Sequence, residues 1–244
     1  MLKIGITGGK GFIGKHLAAA LKEKKGIKIS YFDLPENNLL TPGVSLKKFV
    51  KNNDVIIHAA AVNRGTNTEV IAGSVVAVYN LVEEIEKNKS RAKFIFLSSI
   101  QAETETLYGK SKKLAEIILE DFSRRNKAPV SIFQLTNVFG EGGRPFYNSA
   151  VATFCHQVAK GQKLTVHPQS RNKKINLIYI GEVADTIVKE VFTKRTQKFY
   201  FKKVISKNEI KVGDLAKLIE SFKHEKPKSK NKFNQDLYKT YLSY

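Results

Sequence analysis

Cysteine is nearly absent from this sequence: Cys155 stands alone among 244 residues, which excludes a disulfide framework. The five histidines, His16, His58, His156, His167 and His224, never fall at metal-ligand spacing, so no metal is expected. No run reaches the ~18 consecutive apolar residues of a membrane span, and no signal-peptide pattern precedes the strand-like opening MLKIG. No membrane partner is therefore expected, and the cytoplasm is the expected compartment. Acidic residues are scarce, 22 against 42 lysines and arginines, for a formal charge of +20. Such a charge suits nucleic acid, anionic lipid or an anionic small molecule drawn in by the field. Most lysines are scattered. The basic run Phe222 to Phe233 (FKHEKPKSKNKF) reads as a solvated linker or loop, which disfavours nucleic acid as a partner.

What the chain does have is alternation. Leu2–Thr7 (LKIGIT) reads as a short apolar strand, followed by a glycine-rich turn and a helical pattern over Gly14–Lys24. Lys28–Phe32, Val55–Ala60, Lys93–Ser98 and Val130–Leu135 read as further strands, with helices over Leu46–Lys51, Glu69–Lys87 and Tyr108–Arg124 between them. Parallel strands need crossover connections. The rhythm therefore predicts an α/β fold of Rossmann type over residues 1–140, a doubly wound parallel sheet with helices on both faces. After Gly140 a Gly/Pro/Asn-rich stretch (GEGGRPFYNS) leads to helices near Ala150–Lys160, Glu182–Phe192 and Gly213–Phe222, with short strands and one near Lys198–Lys203. Residues 141–244 are expected to form a smaller C-terminal substrate-binding lobe, with core elements returning near 175–195. No internal repeat is evident. Apolar residues on more than one face of the helices Glu69–Lys87 and Tyr108–Arg124 fit either double-sided burial or a homodimer interface.

The turn Thr7-Gly-Gly-Lys-Gly-Phe-Ile-Gly14 sits between the first strand and the first helix. Gly8 allows a tight turn, Gly11 lets backbone approach a pyrophosphate, and Gly14 permits close packing of helix on strand. The helix N-terminus, at Phe12 and Ile13, presents unpaired N–H groups to the anion. A lone glycine motif is weak, but this one lies in the context that dinucleotide binding requires. The second strand ends at Asp33, where a carboxylate holds the adenosine ribose 2′-hydroxyl and repels a 2′-phosphate, favouring NAD over NADP. Lys10, beside the turn, could offset that repulsion, so both cofactors stay open. The alternative for Asp33 is simply to cap a turn.

The stretch LSSIQAETETLYGKSK closes a strand in two serines and opens a helix with Tyr108 four residues ahead of Lys112. At that spacing an ammonium lies on the same helical face as a phenol. The charge and the helix N-terminus both favour phenolate, bringing a group that titrates near ~10 toward an acid/base range. Ser99, past the end of its strand, can hydrogen-bond a substrate carbonyl. The three make a carbonyl-reducing site. The competing reading is an ordinary exposed helix pair and a loop serine.

TGGKGFIG, the HAAAVNR stretch at His58–Arg64 and Tyr108-x-x-x-Lys112 resemble the extended short-chain dehydrogenase/reductases over essentially the whole chain. SSIQA at Ser98–Ala102, YGKSK, NVFG at Asn137–Gly140, FYNSAVATFC at Phe146–Cys155 and the ending DLYKTYLSY resemble, more narrowly, one branch of them. It is the reductase half of the CapF-type bifunctional enzymes of capsular polysaccharide, in the UDP-N-acetyl-L-fucosamine pathway. Those enzymes carry a C-terminal cupin that performs an epimerisation. This sequence stops at Tyr244, near where that cupin would begin, so the expectation is a truncated form or a lone reductase, with a separate cupin as a candidate partner.

The resemblance implies reduction by NADH or NADPH of the C4 ketone of a UDP-2-acetamido-2,6-dideoxy-4-hexulose, a UDP-linked 4-keto-6-deoxy-N-acetylhexosamine. Tyr108 would supply the proton, Lys112 would bind the nicotinamide ribose and tune Tyr108, and Ser99 would polarise the ketone, with Ser98 its nearest rival. Ala59, Ala60 and Ala61 would line the cofactor. Asn63 and Arg64 would face the shared cleft, and Asn137, Asn148 and Arg171 would hold the diphosphate or uridine. For these last three the alternatives are loop hydrogen bonds and a solvated charge. Three departures from the family pattern stand out. Ser99 is only nine positions before Tyr108, Ser74 replaces a common asparagine, and Asp33 stands where a user of NADPH would carry a basic or neutral residue.

A 4,6-dehydratase would need carboxylates beside the serine, where Ile100 and Gln101 stand; Glu103 and Glu105 fall in the loop beyond. A nucleotide-sugar 4-epimerase can use the same tyrosine and lysine, but keeps its NAD bound through both half-reactions. A non-enzymatic dinucleotide-sensing or nucleic-acid-binding protein would have no need of the proton donor.

Overall fold

A computed structural model describes residues 1–228 and 230–244; Ser229, within the basic run FKHEKPKSKNKF, lies outside the described residues. The strands are β1 (Leu2–Thr7), β2 (Ile27–Phe32), β3 (Val55–His58), β4 (Lys93–Ser99), β5 (Val130–Leu135), β6 (Asn137–Phe139), β7 (Lys174–Tyr179), β8 (Phe199–Val204) and β9 (Glu209–Lys211). The helices are α1 (Phe12–Lys22), α2 (Val44–Lys51), α3 (Asn67–Ile71), α4 (Ala77–Lys87), α5 (Leu107–Arg125), α6 (Ala150–Ala159), α7 (Ile180–Phe192), α8 (Val212–Ser221) and α9 (Lys232–Tyr241).

The chain divides into two compact units, Met1–Leu135 with Ala184–Val204, and Thr136–Val183 with Ile205–Tyr244. In the first, β2-β1-β3-β4-β5-β8 form a six-stranded sheet in which every pair is parallel. Side chains of a strand alternate between faces. On β4, Phe94 and Phe96 join Leu46 and Phe49 of α2, Leu81 and Ile85 of α4, and Leu119 and Phe122 of α5 in one cluster. Ile95 and Leu97, equally buried, point to the opposite face. A sheet buried on both sides is the doubly wound α/β arrangement that the alternating sequence predicts.

The last strand of that sheet is held by a buried charge network. Glu190 of α7 receives Lys93 at 2.6 Å, Arg195 at 2.6 Å and the Ser131 hydroxyl at 2.8 Å, from β4, the loop after α7 and β5. Three donors around one carboxylate offset its loss of hydration and fix where β8 returns.

The expected helix over Glu69–Lys87 is broken. A π-helical turn, Ala72–Val76, separates α3 from α4. Gly73 there packs so closely on Val62 that a Cβ would lie 2.4 Å from Val62 Cγ2. The wider turn brings the backbone up to that loop while α4 keeps its apolar face on the sheet.

In the second unit β6 pairs in parallel with β7, which pairs antiparallel with β9. Around Phe139, Phe154, Leu215, Ile219 and Leu237, helices α6, α8 and α9 form a core of their own. Helix α9 occupies a segment for which the sequence reading offered no element. Lys239 of α9 meets Glu141 at 3.0 Å and donates to the Tyr179 hydroxyl at 3.0 Å, tying the helix to its unit.

Candidate active site

The strand order reverses between β1 and β3: the chain steps outward from β1 to β2, then returns past β1 to β3. Ligands of open parallel sheets bind in the crevice at such a reversal, beyond the carboxyl ends of the strands. The glycine turn follows β1, Ala59–Ala61 follow β3 and Ser99 ends β4, three adjacent strands.

The glycine turn is closely built. Gly8 has φ +75°, a conformation that suits glycine, and a Cβ there would lie 2.5 Å from the Ala60 nitrogen. A Cβ on Gly14 would lie 2.0 Å from the Gly8 oxygen. The Gly11 N–H donates to the Gly8 carbonyl at 3.0 Å. Helix α1 then starts at Phe12 with no side-chain cap and no acidic residue in its first turn. The leading N–H groups of a helix have no partner within it, so Phe12 and Ile13 offer donors to an anion. This cradle fits the pyrophosphate of a dinucleotide.

Asp33 is the clasp of the turn. Its carboxylate accepts the N–H of Gly8, of Gly9 at 3.1 Å and of Lys10 at 3.0 Å. The capping role is therefore realised, and it leaves about one acceptor position of four for a ribose hydroxyl. The Lys10 ammonium is engaged by Glu36 at 2.8 Å and by the Leu34 carbonyl at 3.2 Å.

Beneath the turn, Thr7 Oγ1 and His58 Nδ1 lie 2.6 Å apart, both residues buried. Burial, and then the Lys112 charge, push His58 down to about 3, so its imidazole is neutral at physiological pH. The ring stacks on Phe96 at 5.7 Å. Its Nε2, like the Ser74 hydroxyl in the π-helical turn, is buried without a hydrogen-bond partner. Ala59 and Ala60 are half-buried against the turn, Ala61 and Arg64 are exposed, and Asn63 is half-buried.

The two serines of β4 have different fates. Ser98 is buried and donates to Glu116 Oε1 at 2.6 Å, so its hydroxyl is committed to the interior. Ser99 is half-buried, and its Oγ accepts the Gln101 N–H at 3.2 Å. A 3-10 turn, Ile100–Glu103, carries the chain from Ser99 to Thr106, whose hydroxyl accepts the Gly109 N–H at 3.1 Å and starts α5. This compact route accounts for the short interval between Ser99 and Tyr108. It also needs Gly109, where a Cβ would lie 2.2 Å from the Gln101 oxygen.

Tyr108 stands half-buried in the first turn of α5, and Lys112 one turn later is 2% exposed. The Lys112 ammonium donates to the Leu97 carbonyl at 3.0 Å and lies 4.4 Å over the Phe96 ring. Burial pushes Lys112 down to about 8, opposed by the charge of Glu116. Its burial thus disfavours the ammonium, and the Glu116 carboxylate favours it.

The remaining expected residues lie in the second unit. Asn137 donates its amide to the Asn176 carbonyl at 3.1 Å, tying β6 to β7, which is the loop-bond alternative. Asn148 is exposed ahead of α6, and Arg171 is exposed after the 3-10 turn Pro168–Ser170. Among the described residues no group of three or more His, Cys, Asp or Glu side chains is placed to hold a metal, and no helix is long and apolar enough to cross a membrane.

Sequence reasoning missed Glu116 and the buried Thr7–His58 pair. The spacing Tyr108, Lys112, Glu116 places the glutamate on the same helical face, and that was the available signal.

Residues 4–198 match the profile of the NAD dependent epimerase/dehydratase family, and the chain belongs to that family. It is 34% identical to the UDP-2-acetamido-2,6-beta-L-arabino-hexul-4-ose reductase of Pseudomonas aeruginosa, covering 100% of this chain and 65% of that protein. The dTDP-D-glucose 4,6-dehydratase of Dictyostelium discoideum is 26% identical, over 74% of this chain and 53% of its own length. Among solved structures, the capsular polysaccharide assembling protein CapF of Staphylococcus aureus superposes with a TM-score of 0.83 at 30% identity, over 98% of this chain and 65% of that one. The UDP-glucose 4-epimerase of Thermotoga maritima, at a TM-score of 0.84 and 18% identity, covers 99% of this chain and 98% of its own, and shares the fold. The chain thus spans 65% of the length of the reductase and of CapF.

Proposed function

We propose that the chain reduces the C4 ketone of a UDP-2-acetamido-2,6-dideoxy-4-hexulose in the formation of capsular or surface polysaccharide precursors. The observation that supports this most directly is the buried Lys112 one turn beyond Tyr108 on α5. The helix follows β4 and so leaves the same edge of the sheet as the glycine turn. The similarity to a UDP-sugar reductase over the full chain supports the substrate class.

A reduced nicotinamide dinucleotide, seated on the Gly8–Gly14 turn, supplies the hydride when bound. Ser99 hydrogen-bonds the ketone oxygen and orients it. Tyr108 delivers its proton to that oxygen as negative charge develops there. The Lys112 ammonium, held by the Leu97 carbonyl, would stabilise the phenolate left behind and would hold the nicotinamide ribose when the cofactor binds. Asn63 and Arg64, in the loop that follows β3, would serve the sugar. NAD is preferred over NADP, because Asp33 repels a 2′-phosphate while Lys10 is occupied by Glu36.

A panel of UDP- and dTDP-linked 4-keto-6-deoxy sugars, each with NADH and NADPH, tests the reading. The UDP-linked N-acetylated ketose is expected to oxidise NADH stoichiometrically, with NADPH the poorer donor. Oxidation with the dTDP series alone would overturn the substrate, and a change of sugar without net oxidation would make the chain a 4-epimerase. Co-purification tests whether a cupin joins it, and the need for reduced nicotinamide cofactor supports the cytoplasm as its compartment.

The same reading includes a homodimer through α4 and α5. Tyr79, Leu114 and Ile117 are 53%, 47% and 48% exposed on these two helices. Tyr79 and Ile117 line a groove with Val82 and Ile118, rimmed by Glu83, Glu86, Asp121 and Arg125, and its apolar floor is what a second copy would cover. Sedimentation should show a dimer that Ile117→Glu converts to monomer; a monomeric native chain would contradict this.

A further inference from the structure

Helix α5 carries a third polar residue at the spacing of its first two: Tyr108, Lys112, then Glu116. The Glu116 side chain is 4% exposed, in the layer where α5 meets the sheet. An ionised carboxylate is costly there unless it is fully bonded. Its Oε1 accepts the Ser98 hydroxyl at 2.6 Å and the Gln134 amide at 2.8 Å, and its Oε2 lies 3.4 Å from the Lys113 ammonium. Ser98 and Gln134 are direct partners across the β4–β5 ladder, so one oxygen grips two adjacent strands. Gln134 leaves its own Oε1 buried and unpartnered in order to aim its amide at Glu116. Three apolar residues would fill this layer without that defect. The network ties α5 to β4 and β5 one turn beyond Lys112.

We propose that Glu116 is a positioning residue. Its buried carboxylate, bound by Ser98 and Gln134, seats α5 on the sheet and keeps the Lys112 ammonium charged beside Tyr108. The inference rests on the reductase reading for the role of Lys112. The groups that face Lys112 are Glu116 on its own helix, His58 from β3, and the Leu97 carbonyl and Phe96 ring from β4, with Tyr108 one turn earlier on α5. His58 is neutral at working pH, so Glu116 is the charge that opposes the burial of the ammonium.

The sign follows. The alkaline limb of kcat/KM marks the loss of a proton from the coupled Lys112 and Tyr108 pair. Without the neighbouring negative charge the ammonium is less favoured, so the limb moves to lower pH. Glu116→Gln is expected to move it down by about one pH unit or more. Glu116→Asp, which keeps the charge but lengthens the bonds to Ser98 and Gln134, is expected to lower the thermal midpoint and leave the limb in place. A Glu116→Gln profile that superimposes on the native one overturns the proposal. So does a Glu116→Asp limb that has moved, and that result decides the matter if the glutamine variant does not fold. NADH affinity, followed by cofactor fluorescence without any sugar, should show the same displacement of its alkaline fall. If that fall moves while no ketose is turned over, the reductase reading fails and Glu116 keeps its role. If turnover proceeds and neither limb moves, the proposal about Glu116 fails.

Discussion

Tyr108→Phe is expected to lower kcat by about 10²–10⁴-fold while leaving reduced-cofactor affinity unchanged, the range that loss of a positioned general acid produces. Phenylalanine keeps the ring and its volume, so the packing of the first turn of α5 is preserved. What disappears is the proton that must reach the C4 oxygen. It cannot be replaced from Lys112, whose ammonium is directed at the Leu97 carbonyl beneath the helix. Nor does Ser98 replace it, because that hydroxyl is bound to Glu116. Single-turnover oxidation of NADH, with cofactor binding measured separately, checks the prediction. A variant that retained native turnover would remove Tyr108 from the chemistry and leave Ser99 or a water as the acid.

Gly14→Ala is expected to abolish measurable dinucleotide binding and to destabilise the chain by about 1–3 kcal/mol, the cost of overpacking a well-packed site. Its Cβ would meet the Gly8 oxygen at 2.0 Å and the Gly9 Cα at 2.6 Å. Both are backbone atoms of a turn already pinned by Asp33, so no side-chain rotation relieves the clash. Gly11→Ala provides the contrast. Its Cβ would meet only the Gly8 oxygen, at 3.1 Å, within a 4 Å radius. Its thermal midpoint should therefore stay near the native value while NADH affinity falls, because the methyl group occupies the approach of the pyrophosphate. Fluorescence titration with NADH and thermal unfolding of both variants separate the two effects. Equal loss of stability in both would show that the turn serves folding alone.

Much of the first unit was legible because its signals are local. The expected strand Val130–Leu135 coincides with β5, and the expected helix Tyr108–Arg124 falls within α5. The features that escaped depend on contacts distant in sequence. The π-helical turn is set by Val62 pressing on Gly73, which no periodicity records. Helix α9 has a helical pattern in Phe233, Leu237, Tyr238 and Tyr241, but it begins inside the basic run, whose lysines dominated the reading. The choice between Ser98 and Ser99 was available in principle. Ser98 shares strand parity with Phe94 and Phe96, which face α5, and Gln134 shares it with Val130 and Ile132. Two polar residues on that inward face called for a buried partner, and Glu116 supplies it. For Asp33 the sequence left two roles open, because the three N–H groups it binds belong to a turn whose backbone had to be folded before they could be counted.

The account as a whole is tested most directly by the fate of a labelled hydride. The native chain is incubated with the UDP-linked 4-keto-6-deoxy-N-acetylhexosamine and NADH carrying deuterium at the transferable position. The predicted result is deuterium at C4 of the product, in proportion to the NADH consumed. Unlabelled product, or product formed with the reduced cofactor unchanged, would contradict it.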